Sequence, residues 1–81
     1  MPYFTYIVRC SDGTLYTGWT DDIDKRLGAH NKGVGSRYTR TRLPVKLVYK
    51  EEHTSKSEVM RRERAIKKMP RAAKQLLICG S

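Results

Sequence analysis

The stretch YFTYIVRCSDGTLYTGW, residues 3–19, decides the fold. Tyr3 to Cys10 is rich in β-branched and aromatic residues, Ser11-Asp12-Gly13 is turn chemistry, and Thr14 to Trp19 reads as a second strand, so the segment predicts a β-hairpin. Side chains alternate between the two faces of a strand, so the turn length decides what the hairpin can bring together. A two-residue Asp12-Gly13 turn would put Tyr6 and Tyr16 on opposite faces. A three- or five-residue loop would put them on one face, as a shared site requires.

Downstream of the hairpin, Asp21 or Asp22 can cap a helix whose inward positions are Ile23, Leu27 and His30, with Arg26 bordering that stripe and Asn31-Lys32-Gly33 ending it. Asn31 to Ser36 (NKGVGS) reads as a flexible loop, and Arg37 to Arg42 (RYTRTR) as an extended basic segment running towards Pro44. Val45 to Glu52 (VKLVYKEE) alternates as a third strand with Val45, Leu47 and Tyr49 on one side. Ser55 or Ser57 can open a second long helix through Lys68, and Pro70 fits the first turn of a last helix whose apolar positions are Ala73, Leu76, Leu77 and Cys79. The order ββαβαα predicts an α+β fold: a three-stranded, mostly antiparallel sheet flanked by helices, as a single domain over residues 1–81.

At 81 residues, size scaling predicts a radius of gyration of roughly 12 Å. Met1 to Tyr6 lack the basic and apolar regions of a signal peptide, and no apolar run approaches the ~18 residues of a membrane span, which predicts a cytoplasmic protein with no membrane partner. Cys10 and Cys79 have no CxxC or histidine spacing around them and are expected to be free thiols. The net charge of +9 is unevenly placed. Residues 1–24 carry one base (Arg9) against four acids (Asp12, Asp21, Asp22, Asp24), and the other 16 bases lie beyond them against four acids. A polyanion is the expected partner.

On the second long helix Val59, Glu63 and Ile66 share a face, with Met60 and Met69 beside them. An inward carboxylate must be neutralised by a buried arginine, bind a metal or hold its proton. Arg61, Arg62 and Arg64 point mainly elsewhere and form a basic ridge. Tyr38, Arg40 and Arg42, on one side of the extended basic segment, form a rail for a nucleic-acid backbone, with Arg37 beside them and Lys32, Arg61, Arg64 and Lys68 extending it. His30, on the side of Arg26, reads either as a helix-end packing residue or as a group for substrate contact and proton transfer. His53 has no constellation around it and is expected to be exposed.

Across nearly its whole length the chain resembles the GIY-YIG nuclease superfamily, and within it the small stand-alone bacterial members. Phe4-Thr5-Tyr6 stands in place of the GIY element and Tyr16-Thr17-Gly18 in place of YIG. Arg26 follows in KRLGAHN and Glu63 in RRER, and YIVRCSDGTLYTGWT, HNKGVGSRYTR, PVKLVY and RRERAIKK carry the similarity to the small members. The resemblance implies metal-assisted phosphodiester hydrolysis at Tyr6, Tyr16, Arg26 and Glu63, with Glu63 the only protein carboxylate on one Mg²⁺ or Mn²⁺ ion. Arg26 would bind a phosphate oxygen, and Tyr6 or Tyr16 would orient or deprotonate the attacking water. DNA is the more expected substrate, with RNA second, and a role in DNA repair or recombination is implied. Relatives such as the excision-repair nuclease subunit have a lysine shortly after the YIG glycine, where this chain has Trp19-Thr20. A second DNA-recognition domain, which most characterised relatives use, is not expected within these 81 residues, so recognition of substrate shape or reliance on a partner protein is expected, and the chain is expected to be a monomer. The competing reading is a non-catalytic basic module that binds DNA or RNA.

Overall fold

The computed structural model describes residues 2–80. Its elements are β1 (Tyr3–Arg9), β2 (Leu15–Thr20), α1 (Ile23–Asn31), α2 (Arg37–Arg40), β3 (Lys46–His53), α3 (Lys56–Lys67) and α4 (Arg71–Cys79). The three strands form an antiparallel sheet in the order β2-β1-β3. The α+β architecture is the expected one, with a single-turn helix, α2, added between α1 and β3. The radius of gyration is 11.9 Å.

The hairpin loop has an odd number of residues. Cys10 N–H donates to the Thr14 carbonyl at 2.9 Å and Gly13 N–H to the Cys10 carbonyl at 3.0 Å, which leaves Ser11, Asp12 and Gly13 as the loop. Gly13 has φ 85°, a left-handed conformation that glycine enters without steric cost and that closes a three-residue hairpin. The resulting register pairs Tyr6 with Gly18 and Val8 with Tyr16. Tyr6, Val8, Tyr16 and Gly18 therefore share one face, and Thr5, Ile7, Thr17 and Trp19 share the other.

Helix α1 covers the first face. Asp22 Oδ1 caps it by accepting from Lys25 N–H at 3.1 Å. Gly33 (φ 82°) ends it, with Gly33 N–H bonded to His30 O and Val34 N–H to Ala29 O, a Schellman closure. Ile23 and Leu27 pack with Tyr6, Val8, Cys10, Val45 and Leu47. The Asn31 amide then fixes the entry to β3, accepting from Val45 N–H at 2.8 Å and donating to Val45 O at 3.3 Å.

Helix α3 covers the second face. Its cap is Ser55 Oγ, which accepts from Glu58 N–H at 3.2 Å, and Thr5 Oγ1 donates to the Val59 carbonyl at 3.2 Å. Ile7, Val59 and Ile66 are fully buried on this side. Helix α4 leans on β3, with Pro70 as its N-cap rather than within its first turn.

Three sequence expectations change. Val48 is an extra residue opposite β1, because Ile7 pairs with Tyr49 whereas Val8 pairs with Leu47. This bulge turns Tyr49 to the α3 side, away from Leu47. Leu76 and Cys79, two of the apolar positions read for α4, are exposed, Leu76 to 75%. Cys10 is buried, and both cysteines are free.

Candidate functional site

A cleft of about 380 Å³ runs along the outer edge of β2, lined by Tyr6, Tyr16, Gly18, Trp19, Thr20, Asp21, Arg26 and Glu63. Gly18 and Trp19 project from opposite faces of the strand, so the cleft wraps around the sheet edge. Only there can Arg26 of α1 and Glu63 of α3, which pack on opposite faces, line the same space.

Tyr6 is the pivot. Its ring lies over its cross-strand neighbour Gly18, where an added Cβ would stand 2.6 Å from the Tyr6 hydroxyl oxygen. The hydroxyl accepts from Arg26 Nε–H at 3.3 Å and lies 2.9 Å from His30 Nε2. Burial pushes the Tyr6 phenol up from its ordinary value of 10.0, against the pull of the Arg26 guanidinium. Burial also lowers the His30 pKa, and Arg26 adds to that effect. At neutral pH this pair is therefore a neutral phenol beside a neutral imidazole.

The segment between α1 and β3 holds this pair in place. Arg26 Nη2 donates to the Gly35 carbonyl at 3.0 Å. His30 Nδ1 lies 2.8 Å from Thr39 Oγ1, and both residues are fully buried. An added Cβ on Gly35 would come within 2.4 Å of His30 Nδ1 and 2.7 Å of His30 Cα. The expected extended basic rail over Arg37–Arg42 is instead the turn of α2, capped by Ser36 Oγ, which accepts from Thr39 N–H at 3.1 Å. The turn drives Thr39 inward, stacks Tyr38 on Tyr16 (ring centroids 5.9 Å apart) and folds Arg42 back over the Tyr38 ring at 4.0 Å. Arg42 is also paired with Asp12 at 3.1 Å. Arg37 and Arg40 remain exposed, as do Lys32 at the end of α1 and Arg61 and Arg64 on α3.

Glu63 is not held by a buried arginine. Among the described residues its charged partner is Lys67, one helical turn on, with Nζ 3.6 Å from Oε1, beyond hydrogen-bonding length. Arg62, the arginine next in sequence, turns instead to Glu51 at 2.7 Å. Glu51 is bonded as well to the Tyr49 hydroxyl and to His53 Nε2 at 3.0 Å. His53 is thus half-buried in an ion-pair cluster tying β3 to α3, not exposed.

Of the sequence-predicted residues, Tyr6, Tyr16, Arg26 and Glu63 line one cleft and His30 lies directly behind it. Thr39, Gly35 and Gly18 were not singled out from the sequence. Only Gly18 carried a signal, as the glycine of the Tyr16-Thr17-Gly18 triplet.

Residues 2–75 match the GIY-YIG catalytic domain, and the chain belongs to that family. Its relatives within it carry the designation UPF0213. The UPF0213 protein of Streptococcus agalactiae is 54% identical over 74 residues, covering 91% of this chain and 84% of the relative. That of Halobacterium salinarum is 51% identical, covering 93% and 97%. The solution NMR structure of the Bacillus halodurans UPF0213 protein superposes with a TM-score of 0.63 at 42% identity, covering 98% of this chain and 84% of that one. Among the described residues no helix is long and apolar enough to cross a membrane.

Proposed function

We propose that this chain is a divalent-metal-dependent nuclease that hydrolyses phosphodiester bonds in DNA, directed by substrate shape and acting as a monomer in DNA repair or recombination. One observation carries the reading: a cation fit for phosphate and a carboxylate that it does not neutralise, Arg26 and Glu63, line the same 380 Å³ cleft with two tyrosines. A module that only bound nucleic acid would gain nothing from that carboxylate, which repels phosphate.

The donor set suits a hard cation. Glu63 offers carboxylate oxygens with no hydrogen-bonded partner among the described residues, in a cleft with room for water, and Mg²⁺ or Mn²⁺ is commonly held by one or two carboxylates plus waters. When bound, the ion would supply positive charge to the scissile phosphate and the departing oxygen. Arg26 binds a non-bridging phosphate oxygen, its guanidinium already aimed by Gly35 and Tyr6. Tyr16, stacked on Tyr38, orients the attacking water. That water loses a proton to the Tyr6 oxygen while the Tyr6 proton passes to His30 Nε2, 2.9 Å away. A bond from the water oxygen to phosphorus then forms as the bond to the leaving oxygen breaks. His30 is needed because the buried Tyr6 phenol does not ionise by itself near neutrality.

Lys32, Arg37, Tyr38, Arg40, Arg42, Arg61 and Arg64 carry the strand. If roughly six phosphates are contacted, the log-log salt slope of binding is about −5. The test is cleavage of labelled single-stranded, duplex, flap and branched DNA and of RNA, with Mg²⁺, Mn²⁺ or EDTA, by wild type and Glu63→Gln. Metal-dependent cutting that the variant loses supports the nuclease. Salt-sensitive binding with no cutting by either protein would make the chain a binding module.

A further inference from the structure

The buried contacts of His30 form a chain whose hydrogen-bond direction can be worked out from both ends. At one end the Tyr6 hydroxyl has two hydrogen-bonding neighbours among the described residues, Arg26 Nε and His30 Nε2. A guanidinium can only donate. The Tyr6 proton, in a side chain only 2% exposed, is therefore directed at His30, and Nε2 must be the unprotonated ring nitrogen.

A neutral imidazole carries one proton, so it sits on Nδ1 and needs an acceptor there. Thr39 Oγ1 is that acceptor at 2.8 Å. It is free to accept because its own proton has other destinations: Ser36 Oγ at 3.0 Å and the Ser36 carbonyl at 3.4 Å. The sequence runs one way, from Arg26 through Tyr6, His30 and Thr39 to Ser36, and each bond polarises the next in the same sense.

We infer that Thr39 is a positioning residue of the active site, whose buried hydroxyl holds His30 in the Nδ1–H tautomer and so keeps Nε2 open to the Tyr6 proton. The segment that carries it is part of the catalytic apparatus as well as a surface for the strand. Ser36 caps the turn, the turn aims Thr39 inward, and Thr39 sets the ring nitrogen that faces Tyr6. Were the other tautomer present, Nε2–H and Arg26 would both donate to the Tyr6 oxygen, the Tyr6 proton would have no acceptor behind it, and His30 could not take it.

The catalytic consequence rests on the nuclease reading, but the tautomer does not, and the two are measured separately. Long-range ¹H–¹⁵N correlation spectra of wild type, Thr39→Val and Thr39→Ser at neutral pH read which His30 nitrogen is protonated, without substrate or metal. The expected result is Nδ1–H in wild type and Thr39→Ser, with Thr39→Val shifting population to Nε2–H. An Nε2–H ring in wild type, or an unchanged tautomer in a folded Thr39→Val, overturns the inference. Should Thr39→Val fail to fold, the wild-type tautomer alone decides. In the cleavage assay, Thr39→Val should lower kcat by about 10²-fold with KM little changed, as expected for a misplaced reacting group, and Thr39→Ser should restore it. Absence of cleavage by wild type would count against the nuclease reading and leave the tautomer result standing.

Discussion

The two faces of the sheet are built from the same strands to opposite ends. Under α3, Ile7, Val59 and Ile66 are fully buried, and the surface is mostly apolar. Under α1, Val8, Cys10 and Val45 are buried too, but beside them Tyr6 and His30 are joined by polar contacts to Arg26, Gly35 and Thr39. Substitutions among the buried aliphatic residues of the α3 face act through lost hydrophobic volume. The α1 face can lose function through a single hydroxyl. A chain of this size has a total stability of roughly 4–12 kcal/mol at typical per-residue values, so the apolar packing on both faces, Ile7, Val59 and Ile66 under α3 and Val8, Cys10 and Val45 on the α1 side, must offset the polar groups held inside.

The largest effect is expected where volume is removed from the α3 face. Ile66→Ala should cost about 2–5 kcal/mol, the range for truncating a fully buried aliphatic side chain, and the denaturant midpoint should fall by a large fraction. Gly35→Ala attacks the other face through overpacking, since its Cβ meets the His30 ring and backbone. It should cost about 1–3 kcal/mol and remove cleavage along with it. Tyr6→Phe separates the faces more sharply. It leaves Arg26 Nε and His30 Nε2 short of a partner, a loss of about 1–3 kcal/mol, yet cleavage should fall by about 10²–10⁴-fold, the usual contribution of a proton-transfer group. Equal loss of activity in Ile66→Ala and Tyr6→Phe at a temperature where both are folded would erase the distinction between the faces.

Acid should weaken the α1 face through His30. Its folded pKa lies below the unfolded value of 6.5, lowered by burial and by Arg26, so the unfolded chain binds the proton first. The contribution is complete above about pH 6.5 and declines as pH falls towards the folded value. Unfolding midpoints measured from pH 7.5 to 5 should fall, and His30→Gln should flatten that part of the profile. Thr17 gives the reverse sign on the α3 face. Its buried Oγ1 has no hydrogen-bond partner among the described residues, so Thr17→Val should be neutral or stabilise by up to about 1 kcal/mol.

The hairpin shows how far the sequence could be read. The SDG turn admitted two readings, and Gly13 in its left-handed conformation selects the three-residue loop that places Tyr6 and Tyr16 together. Glu63 was legible because it breaks the apolar pattern of its helix, and Arg26, which only borders its helix's apolar stripe, through the resemblance. Three features were not. The Val48 bulge leaves no composition signal, since VKLVY alternates well without it, and it is set by pairing with β1. Helix α2 was hidden because RYTRTR alternates like a strand, whereas a Ser36 cap and the Thr39 contact with His30 outweigh that local preference. His53 appeared alone because its partners Glu51 and Arg62 meet it only through the sheet and α3.

The smallest expected effect bears most directly on how the two faces cooperate. Lys67 sits a helical turn beyond Glu63, its Nζ 3.6 Å from Oε1 and its side chain half-exposed. A pair of this kind contributes about 0.3–0.5 kcal/mol to a helix, so Lys67→Ala should barely move the unfolding midpoint. The same cation competes with any divalent ion for the Glu63 carboxylate, and removing it should tighten Mn²⁺ binding by roughly the factor that this energy represents, about twofold. Mn²⁺ titration followed by electron paramagnetic resonance measures this without any cleavage. Weaker binding in Lys67→Ala would mean that the lysine orients the carboxylate rather than occupying it. Unchanged binding would mean that Glu63 does not meet the ion. A change in either direction ties α3, the packing helix, to the chemistry at the sheet edge, and the expected tightening shows that Lys67 competes for the carboxylate.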